Sequence, residues 1–150
     1  LGGMLPITDE RMTRFWITLS QGVKFVIQSL ERMHGGELFV PRIPSMNIMD
    51  LAEAVAPGIK IEFVGIRPGE KLHEIMVSEE ESYMTIKKGD YYAIQSMLPE
   101  LYDQKQTNDL NGEFSSADNI LDLDGTRELL EKNNLLPGMD NPNISGEMIV

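Results

Sequence analysis

The stretch GIRPGEKLHE, residues 65–74, sets Arg67, Lys71 and His73 around a Pro68-Gly69 pair. The chain has 13 basic and 24 acidic residues and a net charge of −11. Three basic groups on one stiff corner of such a chain offer a local anion site, because a pocket's potential is set by its nearest groups. Pro68 fixes the backbone and Gly69 permits close approach of a ligand to the chain. A guanidinium at Arg67 would then grip phosphate through two parallel hydrogen bonds. Read from the residues alone, a solvated Pro-Gly turn accounts for the stretch better.

Arg14 is the second basic feature, set in ERMTRFWI between Thr13 and Phe15. In that hydrophobic setting it must snorkel, pair with an acid or meet an anion. With 24 acids available, an ion pair is the simpler reading. Tyr83 and Lys87 have the Tyr-x-x-x-Lys spacing of a reductase proton-donor pair, but they follow the acidic Glu79–Glu81 run and read as a chance match. His73, between Glu70 and Glu74, reads as a surface partner rather than a general base.

Several chemistries are excluded. There is no cysteine, so disulfides and thiolate nucleophiles are absent. His34 and His73 lie far apart and no carboxylates join them at zinc-ligand spacing. The 13 basic residues form no stripe, which argues against nucleic acid as a partner. No apolar run nears the roughly 18 residues of a membrane span. No G-x-G-x-x-G, P-loop, G-x-S-x-G or H-E-x-x-H occurs. The chain starts at Leu1, which points to a cut piece of a longer protein, and a cytoplasmic location is expected.

The elements that must position these groups follow from pattern. At 150 residues, one domain with one core is expected. MLPIT (4–8) and TRFWI (13–17) read as strands. Thr18-x-x-Gln21 is a capping box opening a helix whose stripe is Val23, Val26, Ile27, Leu30 and Met33, ended by Gly35-Gly36. Residues 37–40 form a strand, and Asn47 caps a helix over 48–55 that buries Ile48, Leu51 and Val55 before Pro57-Gly58. IKIEFV is a strand burying Ile59, Ile61 and Phe63. Leu72, Ile75 and Met76 have helical spacing, 79–81 reads as a loop, 91–96 as a strand and 103–119 as a loop. A last helix lies within 121–133 with Asp124 as its cap, and 137–150 reads as a flexible tail. The class is α+β, a small mixed sheet with three to four helices.

Taken together, LPITDERMTRFWI, GGELFVPRIPSM and VGIRPGEKLHE resemble the inverting UDP-N-acetylglucosamine 4,6-dehydratases, extended short-chain dehydrogenases/reductases of polysaccharide and pseudaminic-type sugar biosynthesis. The likeness runs from Leu5 to about Met76, and more loosely through 121–133. It implies an N-terminal Rossmann lobe that holds NADP and a C-terminal lobe that holds the UDP-sugar. Residues 1–136 would be that second lobe, without its cofactor lobe and inactive alone. It carries over Arg14 and Arg67 as diphosphate ligands, with Pro6, Ile7 and Thr8 near the base. Glu70 comes near the ribose or phosphate and Gly69 at the close approach, while Lys71 and His73 stay on the surface. No catalytic, cofactor or metal residue is implied within these residues. A homo-oligomer is expected. A related UDP-sugar 4-epimerase, or a non-catalytic sugar-nucleotide-binding or oligomerisation module, stays open.

Overall fold

The computed structural model describes residues 3–98, 100–101 and 109–138. The chain forms two compact units. The first comprises Leu1–Thr13, Met46–Leu72 and Ile120–Val150, the second Arg14–Ser45 and His73–Asn119. In order the elements are β1 (Met4–Ile7), β2 (Thr13–Phe15), α1 (Leu19–Arg32), β3 (Leu38–Pro41), β4 (Ser45–Asn47), α2 (Ile48–Val55) and β5 (Lys60–Phe63). There follow β6 (Ile75–Val77), α3 (Glu79–Ser82), β7 (Thr85–Lys88), β8 (Tyr91–Ile94), β9 (Phe114–Ser115), β10 (Ile120–Leu121) and α4 (Leu123–Lys132). Mixed α and β content agrees with the expected class. Part of the 103–119 loop and most of the 137–150 tail fall outside the described residues.

In the first unit, β1 and β5 pair in parallel, Met4 opposite Lys60 through Ile7 opposite Phe63. Asn47 caps α2 as its type and place predict, its side chain accepting from the Met49 N–H at 2.7 Å. α2 packs on α4. The buried residues of α2 are Ala52 and Ala54, not the larger Ile48, Leu51 and Val55 of its predicted face. Small side chains let helix axes approach closely, so Ala rather than bulk occupies the contact. The buried residues of α4 are Thr126 and Leu130, both at most 1% exposed. The cap of α4 is Asp122, which accepts from Gly125 at 2.8 Å. Asp124, the predicted cap, lies in the first turn instead, where a negative charge complements the helix dipole.

The second unit is built on an antiparallel sheet in the order β3-β8-β7. β7, which sequence pattern missed, joins β8 through the two-residue Gly89-Asp90 turn, with Gly89 at φ +62°. Glycine first suits such a hairpin turn. Val40, Val77, Tyr92, Ile94 and Phe114 form the core, with the Phe114 ring 5.1 Å from Phe15 and 5.2 Å from Tyr92.

Residues 75–77 are not helical: they form β6, antiparallel to β9. The spacing of Leu72, Ile75 and Met76 suits a helix, but a partner strand and β-branched Ile75 and Val77 decide otherwise. Glu79–Glu81 opens a one-turn helix rather than a loop, with Ser78 and Glu81 forming a reciprocal capping box.

α1 shows both halves of the Thr18–Gln21 capping box. It ends at Met33 in extended conformation, two residues before the glycines expected to stop it. Gly36 has a different constraint. A Cβ there would stand 2.7 Å from Ser96 Oγ, so close packing needs its absence. None of the α1 residues is buried.

Candidate functional site

Residues 67–70 close a tight turn. The Glu70 N–H donates to the Arg67 carbonyl at 3.0 Å. With Pro68 second and Gly69 third at φ +87°, this is the type II arrangement that requires a left-handed third residue. The Glu70 carboxylate folds back and accepts the Arg67 N–H at 3.0 Å. The turn is therefore fastened twice, by backbone and by side chain.

Sequence expectation gave Gly69 to ligand approach and Glu70 to the ribose or phosphate. The structure supplies a local reason for each. A Cβ at Gly69 would meet nothing within 4 Å, so its φ rather than its space demands glycine. Glu70 spends one carboxylate oxygen on the turn. Arg67 is exposed, and its guanidinium forms no ion pair with any described residue.

The parallel pairing of β1 with β5 brings Pro6, Ile7 and Thr8 to the same end of the first unit. Ile7 lies opposite Phe63, and the Val64 N–H donates to the Ile7 carbonyl at 2.9 Å. The chain then runs through Gly65 and Ile66 into the Arg67 turn. Ile7 is buried at 4% exposure, whereas Pro6 is exposed and Thr8 half-buried. Phe63, Val64 and Ile66 are exposed apolar residues preceding the turn. Alternation had turned Phe63 inward, but a two-stranded sheet leaves it 55% exposed. An apolar surface beside a cation suits a ligand that joins a planar ring to an anion.

Past Thr8, Asp9 forms an Asx-turn. Its carboxylate accepts from the Arg11 backbone N–H at 2.9 Å and from the Arg11 side chain at 2.9 and 2.8 Å. The Arg11 side-chain and then backbone hydrogen bonds hold the Asp9 carboxyl down at about 2, against an ordinary 3.8. Arg11, the nearest other cation to Pro6–Thr8 in sequence, is thereby committed.

Arg14 belongs to the second unit. Its Nε lies 3.7 Å from Glu74 Oε1, the acid partner the bare sequence favours. Lys71 is exposed and His73 half-buried. Tyr83 caps the end of α3 while Lys87 lies in β7, so no helix carries both and the reductase spacing is coincidental. Among the described residues no group of His, Asp and Glu could hold a metal, and no helix is long and apolar enough to cross a membrane.

A separate cavity of about 770 Å³ opens in the second unit between the end of α1 and the β3-β8-β7 sheet, lined in part by Arg32, Glu37, Phe39, Lys88 and Tyr91. The Arg32 guanidinium lies 5.2 Å from the Tyr91 ring centre. Burial raises the Glu37 carboxyl, but backbone N–H groups from Gly35, Glu37 and His34 outweigh it and leave it below its usual range. None of the residues singled out in the sequence for ligand binding lines this cavity.

The model of a family described as "Polysaccharide biosynthesis protein" matches residues 1–96, which include every candidate residue above. A UDP-N-acetylglucosamine 4,6-dehydratase (inverting) of Campylobacter jejuni serotype O:2 is 62% identical over 90 residues, 60% of this chain and 27% of that protein. Its counterpart in serotype O:23/36 is 55% identical over 107 residues, 71% of this chain and 32% of its own. A UDP-glucose 4-epimerase of Rickettsia bellii is 41% identical over 95 residues, covering 60% and 28%. The X-ray structure of Pen from Bacillus thuringiensis superposes with a TM-score of 0.77 at 29% identity, covering 89% of this chain and 42% of that one. The chain thus spans about a third or less of the length of these sequence relatives.

Proposed function

Because the chain belongs to the polysaccharide biosynthesis protein family, we propose that it is the C-terminal, UDP-sugar-binding lobe of a nucleotide-sugar 4,6-dehydratase. The observation that carries this reading is the Arg67 guanidinium, unpaired among the described residues and held on a doubly fastened turn. There it would take a diphosphate oxygen pair, with the base lying toward Pro6–Thr8 and the exposed apolar residues before the turn. Gly69 sets the turn and Glu70 locks it. Arg14, bound to Glu74 in the second unit, is a further phosphate ligand on the family likeness alone.

NADP does not fit these residues. The sequence has no glycine fingerprint to cradle a pyrophosphate, so no hydride step is assigned to this chain. The cofactor would be held by a Rossmann lobe outside these 150 residues. When bound there, it would supply reversible hydride transfer, the chemistry that a redox-neutral 4,6-dehydration requires. This chain's part is to hold and orient the substrate, and by itself it is inactive.

The test is a hybrid in which these residues replace the matching segment of the Campylobacter dehydratase. It should convert UDP-N-acetylglucosamine to a 4-keto-6-deoxy sugar, visible by NMR. In the hybrid, Arg67→Ala should weaken UDP binding by about 1–3 kcal/mol, the range for a hydrogen bond to a charged group. Unchanged affinity by calorimetry would remove Arg67 from the site. The likeness to UDP-glucose 4-epimerases favours a second reading, the same lobe in an epimerase, and a product changed only at C4 would select it.

A further inference from the structure

α1 is inside out. Gly22, Phe25, Gln28 and Ser29 are its half-buried residues, with Phe25 edge-on to Tyr91 at 6.4 Å and the Ser29 hydroxyl spent on the Phe25 carbonyl. Its apolar stripe faces away. Leu19, Val23, Val26, Ile27, Leu30 and Met33 are between 46% and 81% exposed. An amphipathic helix normally turns such a stripe to a core, since packing rather than propensity supplies most helical stability. The stripe also has a notch. Gly22 sits in the helix with nothing within 4 Å of where its Cβ would be, and it lines an apolar groove of about 580 Å³ with Ile17, Leu19, Val23, Val26 and Ile27. A glycine in a helix interior destabilises the helix relative to alanine, which a close neighbour at the notch would offset.

We propose that this face of α1 is a docking seat for the remainder of the family enzyme, an apolar element of the same polypeptide that packs into the Gly22 notch. Two observations select that occupant. The stripe lies inside the segment, residues 1–96, that matches the family, while the dehydratase relatives carry more than two thirds of their length outside the match. The face is also small. Six side chains fall well short of the roughly 20–30 residues a side of a stable interface between free molecules, which disfavours a second copy. Within one chain the contact is intramolecular, and a small face suffices because the linker sets a high effective concentration. The proposal rests on the reading of the chain as part of a longer enzyme. Its readouts involve no nucleotide, so it can fail while the Arg67 site stands, and the reverse.

The chain has no cysteine, so a single introduced thiol reports its own exposure. Val26→Cys, on the stripe, and Lys24→Cys, off it, are alkylated in the 150-residue chain and in the dehydratase hybrid, and followed by peptide mass. Val26→Cys should react freely in the chain and be slowed about tenfold or more in the hybrid, as a residue released only by local opening would be. Lys24→Cys should react alike in both. Equal rates at Val26→Cys would overturn the proposal, as would protection in the chain alone that grows with concentration alongside a dimer mass by light scattering. A second variant is independent of whether the hybrid folds. Val26→Ser, which adds no charge, should leave the Tm of the chain alone unchanged, and a fall would show that the stripe is already packed and the seat does not exist.

Discussion

At the scale of single residues, the Arg67 corner depends on one backbone angle and one carboxylate. Gly69 at φ +87° has open space around it, so Gly69→Ala should cost about 1–2 kcal/mol through left-handed strain alone, with no clash to relieve. Urea unfolding measures this, and a neutral substitution would show that the turn is not held as described. Glu70→Ala removes the acceptor of the Arg67 N–H, whereas Glu70→Gln keeps a side-chain oxygen, so the first should loosen the turn more than the second. Asp9 makes a separate prediction. Its folded-state value near 2 lies below the ordinary 3.8, so any stability from its Asx-turn is fully present above about pH 3.8. That contribution is lost as the pH falls through about 2. Carboxyl NMR should show Asp9 still ionised at pH 3, and Arg11→Ala should return its midpoint toward 3.8. A midpoint already near 3.8 in the unaltered chain would refute the hydrogen-bonded geometry.

At the scale of elements, caps are the most exposed points of the fold to a single change. Asp122→Ala leaves the Gly125 N–H of α4 without its acceptor and should cost about 0.5–2 kcal/mol, while Asp124→Ala should cost less, though sequence pattern took Asp124 as the cap. Equal losses in thermal melts would reverse that assignment. The same contrast explains what the sequence made legible. Thr18–Gln21, Asn47 and the Arg67–Glu70 turn are each complete within a few residues, so local chemistry announces them. β6 is settled by β9, about 40 residues on, and no local window contains that partner. The face of α2 misled for a related reason. Apolar spacing shows that a helix has a greasy side, but whether that side is covered depends on what stands opposite. For α2 that is a helix close enough to favour Ala52 and Ala54, and for α1 nothing among the described residues covers the stripe. The candidate site was legible to the same degree. The RPG turn named itself, while the β1–β5 pairing that brings Pro6–Thr8 beside β5 needed the fold.

At the scale of the whole molecule, charge is the dominant unbalanced quantity. The chain carries −11, and the pairs Arg11–Asp9, Arg14–Glu74 and Arg127–Asp124 all lie at partly or fully exposed groups, where solvent screening leaves such pairs little net stability. Neither unit is a single stretch of chain, since the backbone passes between them at residues 13–14, 45–46, 72–73 and 119–120, so acidic segments distant in sequence are gathered in each. Self-repulsion of a compact acidic body destabilises it and is screened by salt, with a Debye length falling from about 30 Å at 0.01 M to about 10 Å at 0.1 M. Screening should therefore relieve more repulsion than it removes attraction. The Tm should rise as sodium chloride increases from 10 to 200 mM, by roughly 2–4 °C for each kcal/mol of repulsion removed at this chain length. Acidification gives an independent check. Between pH 7 and 5 the same repulsion eases while most carboxylates stay ionised, so the salt increment should shrink. A Tm that falls with salt at pH 7 would mean that specific ion pairs, and not net charge, govern the stability of this chain.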